Sequence, residues 1–174
     1  MARLRFTMEQ IREIEATRAA RIAQHPEQAN HAMILLLARV IGVGIETADM
    51  LVHEILSRPL RDRKAVARYA GLTGSPDESG ARRREKGLAK PAPGSEQGAG
   101  NARERRGMIQ LAWRYLRFQK QSALVQWHQR QTADARGGTR KTMIVALARK
   151  LLVALWRLVT TGEIPEGVVL RGAV

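Results

Sequence analysis

Apolar residues recur along this chain mostly at intervals of three and four, and no run alternates long enough to mark a half-buried strand. The pattern predicts an all-α protein. Thr7 and Gln10 have capping-box spacing, and Leu4, Met8, Ile11, Ile14, Ala19 and Ile22 form a stripe that ends before Pro26. Glu9, Glu13, Glu15, Arg12, Arg18 and Arg21 cover the rest of that surface, so residues 1–25 read as a coiled-coil-like pairing helix rather than a buried one. Residues 26–174 read as a second, helical unit. Its helices are expected from Glu27 to about Val40 and from Glu46 to about Ser57, where "SRPL" stops the chain. Asp62 can cap a short "RKAVARYA" helix that Gly71 ends. Residues 71–100 keep no period and hold most of the turn chemistry. Asn101 and Glu104 offer a second capping box for "RRGMIQLAWRYLRFQK", followed by a break near Gln121 and then "ALVQWHQRQTA". The last helix should start near Thr139, with Ile144, Leu147, Ala148, Leu151, Leu152, Leu155 and Val159 on one wide face and Gly162 and Pro165 as its stop. No internal repeat of useful period is present.

Composition adds the partner class. Hydrophobic residues make up 44% of the 174 positions and charged ones 26%, enough for a real core. The net charge of +14 calls for a polyanion, and nucleic acid is favoured over an anionic membrane. No apolar run reaches the ~18 residues of a spanning helix: the most apolar piece, "AMILLLARVIGVG", carries Arg39 and ends in a glycine turn. "MARLRF" lacks the apolar stretch of a secretory signal, so the expected location is cytoplasmic. Without cysteine there is no thiol nucleophile or cysteine-based zinc site, and His25, His31, His53 and His128 lack metal-ligand spacing, so each reads as a surface or core histidine.

Two segments suggest chemistry. In "ARVIGVGIETADMLVHEI", Gly42 and Gly44 flank Val43 in a turn between two apolar helices. Glycine lets another backbone approach, and the amides that open the following helix favour an anion such as a DNA or RNA phosphate. This is the form of a helix-hairpin-helix element over residues 31–57, with Ile41 where the usual hairpin has proline. The plain alternative is a tight αα turn. The second segment is basic. Between Gly80 and Lys120 eleven Lys and Arg face three Glu, a local excess of +8 within the +14 of the whole chain. Arg82, Arg83, Arg84, Lys86, Lys90, Arg103, Arg105 and Arg106 form its core, and arginine's planar fork suits phosphate. Ser79 stands at the mouth of this cluster. Its hydroxyl can attack a DNA phosphate while arginines neutralise the developing charge. Ser-Gly is also common turn vocabulary, so the residues alone favour a turn serine, with Ser75 before Pro76 a weaker rival nucleophile.

The succession "LLLARVIGVGIETADMLVHEI", "RKAVARYAGLTGSPDESGARRREKGLAK" and "GNARERRGMIQLAWRYLRFQK" closely resembles the C-terminal transposase domain of the insertion-sequence one-hundred-and-ten family, which includes the bridge-RNA-guided recombinases. The resemblance runs from about Arg3 to Leu170. It implies DNA transposition or recombination, Ser79 as nucleophile, homo-oligomers joined by a coiled coil like residues 1–25, DNA partners and a structured guide RNA. In that family a RuvC-like domain supplies four acidic metal ligands. This chain starts at the coiled-coil position, so Mg2+ is expected only with that missing domain and the isolated chain is expected to be inactive. "PAPGSEQGA", Pro91 to Ala99, interrupts the family pattern between "GLAK" and "GN" with linker composition. Two other classes compete: a non-catalytic nucleic-acid-binding module, and a subunit-association domain, for which eleven basic residues around one loop have no use.

Overall fold

The computed structural model describes residues 2–73, 76–77, 84–85, 102–134 and 137–172, and apart from one two-residue ladder their regular structure is helical. The helices are α1 (Ala2–Gln24), α2 (Ala29–Ala38), α3 (Ile45–Leu51), α4 (Arg63–Tyr69), α5 (Ala102–Phe118), α6 (Ala123–Thr132) and α7 (Gly137–Thr161). A π turn, Val52–Leu56, continues α3, its extra residue visible in the Ser57 amide donating to the Val52 carbonyl. In the ladder, β1 (Pro76–Asp77) pairs antiparallel with β2 (Arg84–Glu85).

The wide apolar face expected on the last helix makes α7 the core. Ile144, Leu147, Ala148, Leu151, Leu152 and Leu155 are all buried, and α2, α4, α5 and α6 pack around them. α7 starts two residues before the expected Thr139. Asp62 caps α4 by accepting from the Lys64 and Ala65 amides, both at 2.8 Å. Gly71, at φ +64°, ends α4 in a Schellman turn whose last residue, Leu72, donates to the Ala67 carbonyl and is buried.

One expected cap fails. Thr7 lies inside α1, its hydroxyl donating to the Arg3 carbonyl, because the helix already runs from Ala2. Only the end of α1 joins the body: Ile22 is buried and Arg18 pairs with Asp49 of α3 at 3.3 Å. Leu4, Phe6, Met8, Ile11 and Ile14 stay exposed.

The corner between α5 and α6 is closed by hydrogen bonds. Ser122 caps α6 and shares a 2.9 Å bond with the buried Tyr115 hydroxyl. Beside it, the wholly buried Gln119 amide donates to the carbonyls of Ile41 and Val169 and accepts from the Val169 amide, all at 2.8–2.9 Å. The terminal segment thereby straps the α2–α3 hairpin: Ile41 donates to Val169, Arg171 to the Arg39 carbonyl, and Val40 bridges Leu170. Replacing Gln119 by alanine removes three hydrogen bonds, each worth about 0.5–1.5 kcal/mol, and leaves the Ile41 carbonyl and the Val169 amide without this partner while the Val169 carbonyl keeps the Ile41 amide. Gln119→Ala should lower the unfolding free energy by about 2–4 kcal/mol in urea titration, whereas alanine at the exposed Gln121 should change it by less than about 0.5 kcal/mol.

Candidate nucleic-acid interface

The turn between α2 and α3 is Val40–Ile41–Gly42–Val43, closed by the Val43 amide on the Val40 carbonyl at 2.9 Å. Gly42, third in the turn, has φ +97°, a conformation that suits glycine, and a Cβ there would meet the Phe118 side chain at 3.4 Å. Val43 is fully buried and anchors the hairpin in the core. Gly44 precedes α3 in extended backbone open to other residues, and a Cβ on it would lie 3.0 Å from the Glu46 carboxylate, which folds towards the helix start. The hairpin expected from the sequence is therefore present as a tight turn between helices. Thr47, in the first turn of α3, accepts from the Arg114 guanidinium of α5 at 2.7 Å, which brings a cation to the hairpin.

α5 divides its residues by helical period. Met108, Leu111, Ala112 and Tyr115 are buried, and Arg103, Arg106, Gln110, Trp113, Arg114 and Arg117 face solvent along the opposite side. Trp113 is 56% exposed, a large apolar surface left open among cations. Phe118 continues the line to Gly42, with the Arg117 guanidinium 5.8 Å from its ring centre. Glu104 is the only acid on α5 and it is buried, so the outer face carries positive charge alone.

At the start of α5, Arg103 lies 3.8 Å from Glu54 of the π turn. Burial, reinforced by the nearby negative charge of Glu54 and opposed by Arg103, raises the Glu104 carboxyl from 4.5 to about 7. No group of three His, Cys, Asp or Glu able to hold a metal ion occurs among the described residues. His31 and His128 are buried, and burial pushes His128 below its ordinary value, while His25 and His53 are exposed.

Gly42, Val43 and Gly44 thus meet one end of the basic helix face, and of the predicted cations Arg103, Arg105 and Arg106 sit in its first turns. Ser79, Ser75, Arg82, Arg83, Lys86, Lys90 and Asn101 lie outside the described residues; Arg84 contributes backbone to the ladder. Arg114 and Arg117 belong to the eleven basic residues counted from the sequence, and the side chains that sequence reasoning did not single out are Trp113 and Phe118. A helical wheel puts Trp113 off the apolar face of its own helix, and that was the available signal.

A carboxyl whose value is raised on folding stabilises fully below its unfolded value and loses that contribution as pH rises through the folded one. Glu104 should therefore cost stability between pH 4.5 and about 7, on the order of 1–3 kcal/mol. Glu104→Gln should flatten the fall in unfolding free energy between pH 5 and 8, read by urea titration at the two values.

Residues 35–128, more than half of the chain, match the Transposase IS116/IS110/IS902 family. A protein of Sinorhizobium fredii (strain NBRC 101917 / NGR234) that carries a transposase name, y4rJ, is 40% identical over 179 residues, covering 97% of this chain. The chain spans 42% of that relative's length. No solved structure matches it with significance. The all-helical fold, the glycine hairpin and the basic stretch thus accompany a family match that runs through all three, and the chain belongs to the IS116/IS110/IS902 transposase family.

Proposed function

We propose that this chain is the part of a DNA transposase that grips nucleic acid and supplies the attacking serine. The observation that carries the reading is the outer face of α5, where arginines at helical spacing surround an exposed tryptophan and run into the glycine hairpin. Cations on such a face neutralise phosphates and release counterions, and an aromatic among them adds a surface for base or sugar. The hairpin sets a close backbone approach at one end of the face, and Ser79 precedes the other end in the chain, just ahead of the Gly80–Lys120 stretch that carries the +8 excess.

In the chemical step Ser79 Oγ forms a bond to a backbone phosphorus, one P–O bond of the strand breaks, and the departing sugar oxygen takes up a proton. Attack on the phosphoserine by a sugar hydroxyl of another strand then restores the serine. Arg82, Arg83 and Arg84 would bear the charge on the non-bridging oxygens. Divalent-metal chemistry would fall to the acidic residues of the RuvC-like domain that the family resemblance implies. The exposed apolar positions of α1 suit pairing with a second copy of that helix, and structured guide RNA is the further polyanion that the family resemblance implies. No helix among the described residues is long and apolar enough to cross a membrane.

Binding is tested first. Arg106→Ala with Arg117→Ala should reduce the slope of log affinity against log salt for duplex DNA by about 2, and Trp113→Ala should weaken binding without lowering the melting temperature. An unchanged slope removes α5 from the interface. Chemistry needs a full-length fusion with a RuvC-like domain, guide RNA and both DNA partners. There Ser79→Ala should abolish the covalent protein–DNA adduct that survives denaturation while leaving binding intact. Loss in Ser75→Ala instead moves the nucleophile, and recombination unaffected by either substitution leaves the binding module as the function.

A further inference from the structure

A groove of about 880 Å³ runs between α4, α6 and α7, and no residue of α5 lines it. It exists because the side of α7 turned towards it carries small residues, Val145, Ala146, Val153 and Ala154, which leave the helix backbone near the surface. Leu124 and Trp127 of α6 form one wall. Its rim is basic on both sides: Arg63 and Lys64 from the start of α4, Arg149, Lys150 and Arg157 from α7. Glu163 and Glu166 are the acids at its edge, and Glu163 is engaged by Arg157 at 3.7 Å. Arg63, Lys64 and Arg149 make no ion pair with any described residue. Lys150 rests over the Trp127 ring, 4.6 Å from its centre.

We propose that this groove holds a single strand of nucleic acid, with bases on Trp127 and the apolar floor and phosphates on the two basic rims. A single strand offers flat apolar faces and a regular line of anions together, which is the combination that this groove complements. A duplex hides its base faces and would meet only the rims. A base stacking on Trp127 takes the place of the Lys150 ammonium, which then moves to a phosphate. From Thr142 to Arg157, α7 lines about 23 Å of the groove at 1.5 Å per residue, the length of about six or seven stacked nucleotides. Thr73, on the α4 side, is the last described residue before the segment that carries Ser75 and Ser79. The groove thus constitutes a second nucleic-acid surface, separate from the α5 face.

The test uses the 174-residue chain with a fluorescein-labelled ten-nucleotide oligothymidylate, a 20-base-pair duplex and a polyglutamate peptide, followed by anisotropy. Arg149→Glu with Lys150→Glu should weaken the oligothymidylate at least tenfold and the duplex less than threefold. Trp127→Leu, which keeps apolar volume and removes the ring, should cost the single strand about tenfold. Should circular dichroism show either variant unfolded, Arg149→Gln with Lys150→Gln replaces it, with a loss of at least fivefold expected for the single strand. Unchanged single-strand affinity, or equal loss for both probes, overturns the proposal. So does polyglutamate that binds more tightly than oligothymidylate, since the groove would then be a site for acidic peptides. Arg106→Ala with Arg117→Ala is the parallel control: because α5 lines no part of the groove, failure of the α5 reading leaves the single-strand result readable.

Discussion

The buried amide of Gln119 is the point on which three separate parts of the chain depend. It holds the α2–α3 hairpin through Ile41 and the terminal strap through Val169, and its own backbone turns α5 into α6. A primary amide suits this position because it donates twice and accepts at the same time, matching two carbonyls and one N–H with no charge left inside the protein. An apolar side chain would fill the space and give up all three of these bonds, leaving the Val169 carbonyl only its bond from the Ile41 amide. The basic face of α5 is aimed from this joint, since Arg114 reaches Thr47 and Phe118 lies beside Gly42 only while the hairpin stays against the end of α5.

Charge is then distributed around a core that is entirely conventional. Leucines and alanines of α7 supply the centre, and cations stand on surfaces where the core needs nothing from them. Electrostatic self-repulsion on the α5 face is tolerated because the buried side of the same helix holds it in place. Glu104 is the exception, a carboxylate taken inside beside Glu54 and partly compensated by Arg103, so that the first turn of α5 joins a destabilising group to an exposed cationic one. Such local cost is typical of positions held for something other than stability.

Much of the fold was legible in the sequence because its signals are local. The Asp62 cap, the Gly71 stop, the helical spacing of the last apolar face and the break before Ala123 each rest on residues within a few positions of one another. Thr7 misled because capping-box spacing says nothing about helix that continues upstream of it. The Gln119 joint was hidden for the opposite reason: its partners lie 78 and 50 residues away, and nothing in "RFQKQSA" marks that glutamine out. For the site, the hairpin and the density of arginine were readable. The alignment of Trp113 with Arg106 and Arg117 needed the helix to be oriented against its core, and the groove needed α4, α6 and α7 brought together.

The terminal strap also constrains how the chain can be made. Ile41 pairs with Val169 and Arg39 with Arg171, so the hairpin that forms early in the sequence obtains its last hydrogen bonds from residues translated more than a hundred positions later. During synthesis α2 and α3 can fold against each other, but their far edge stays unpaired until the end of this segment has emerged. Non-local closure of this kind slows the final step of folding. The order of synthesis thus leaves the Ile41 amide and the Arg39 carbonyl to water until the strap arrives.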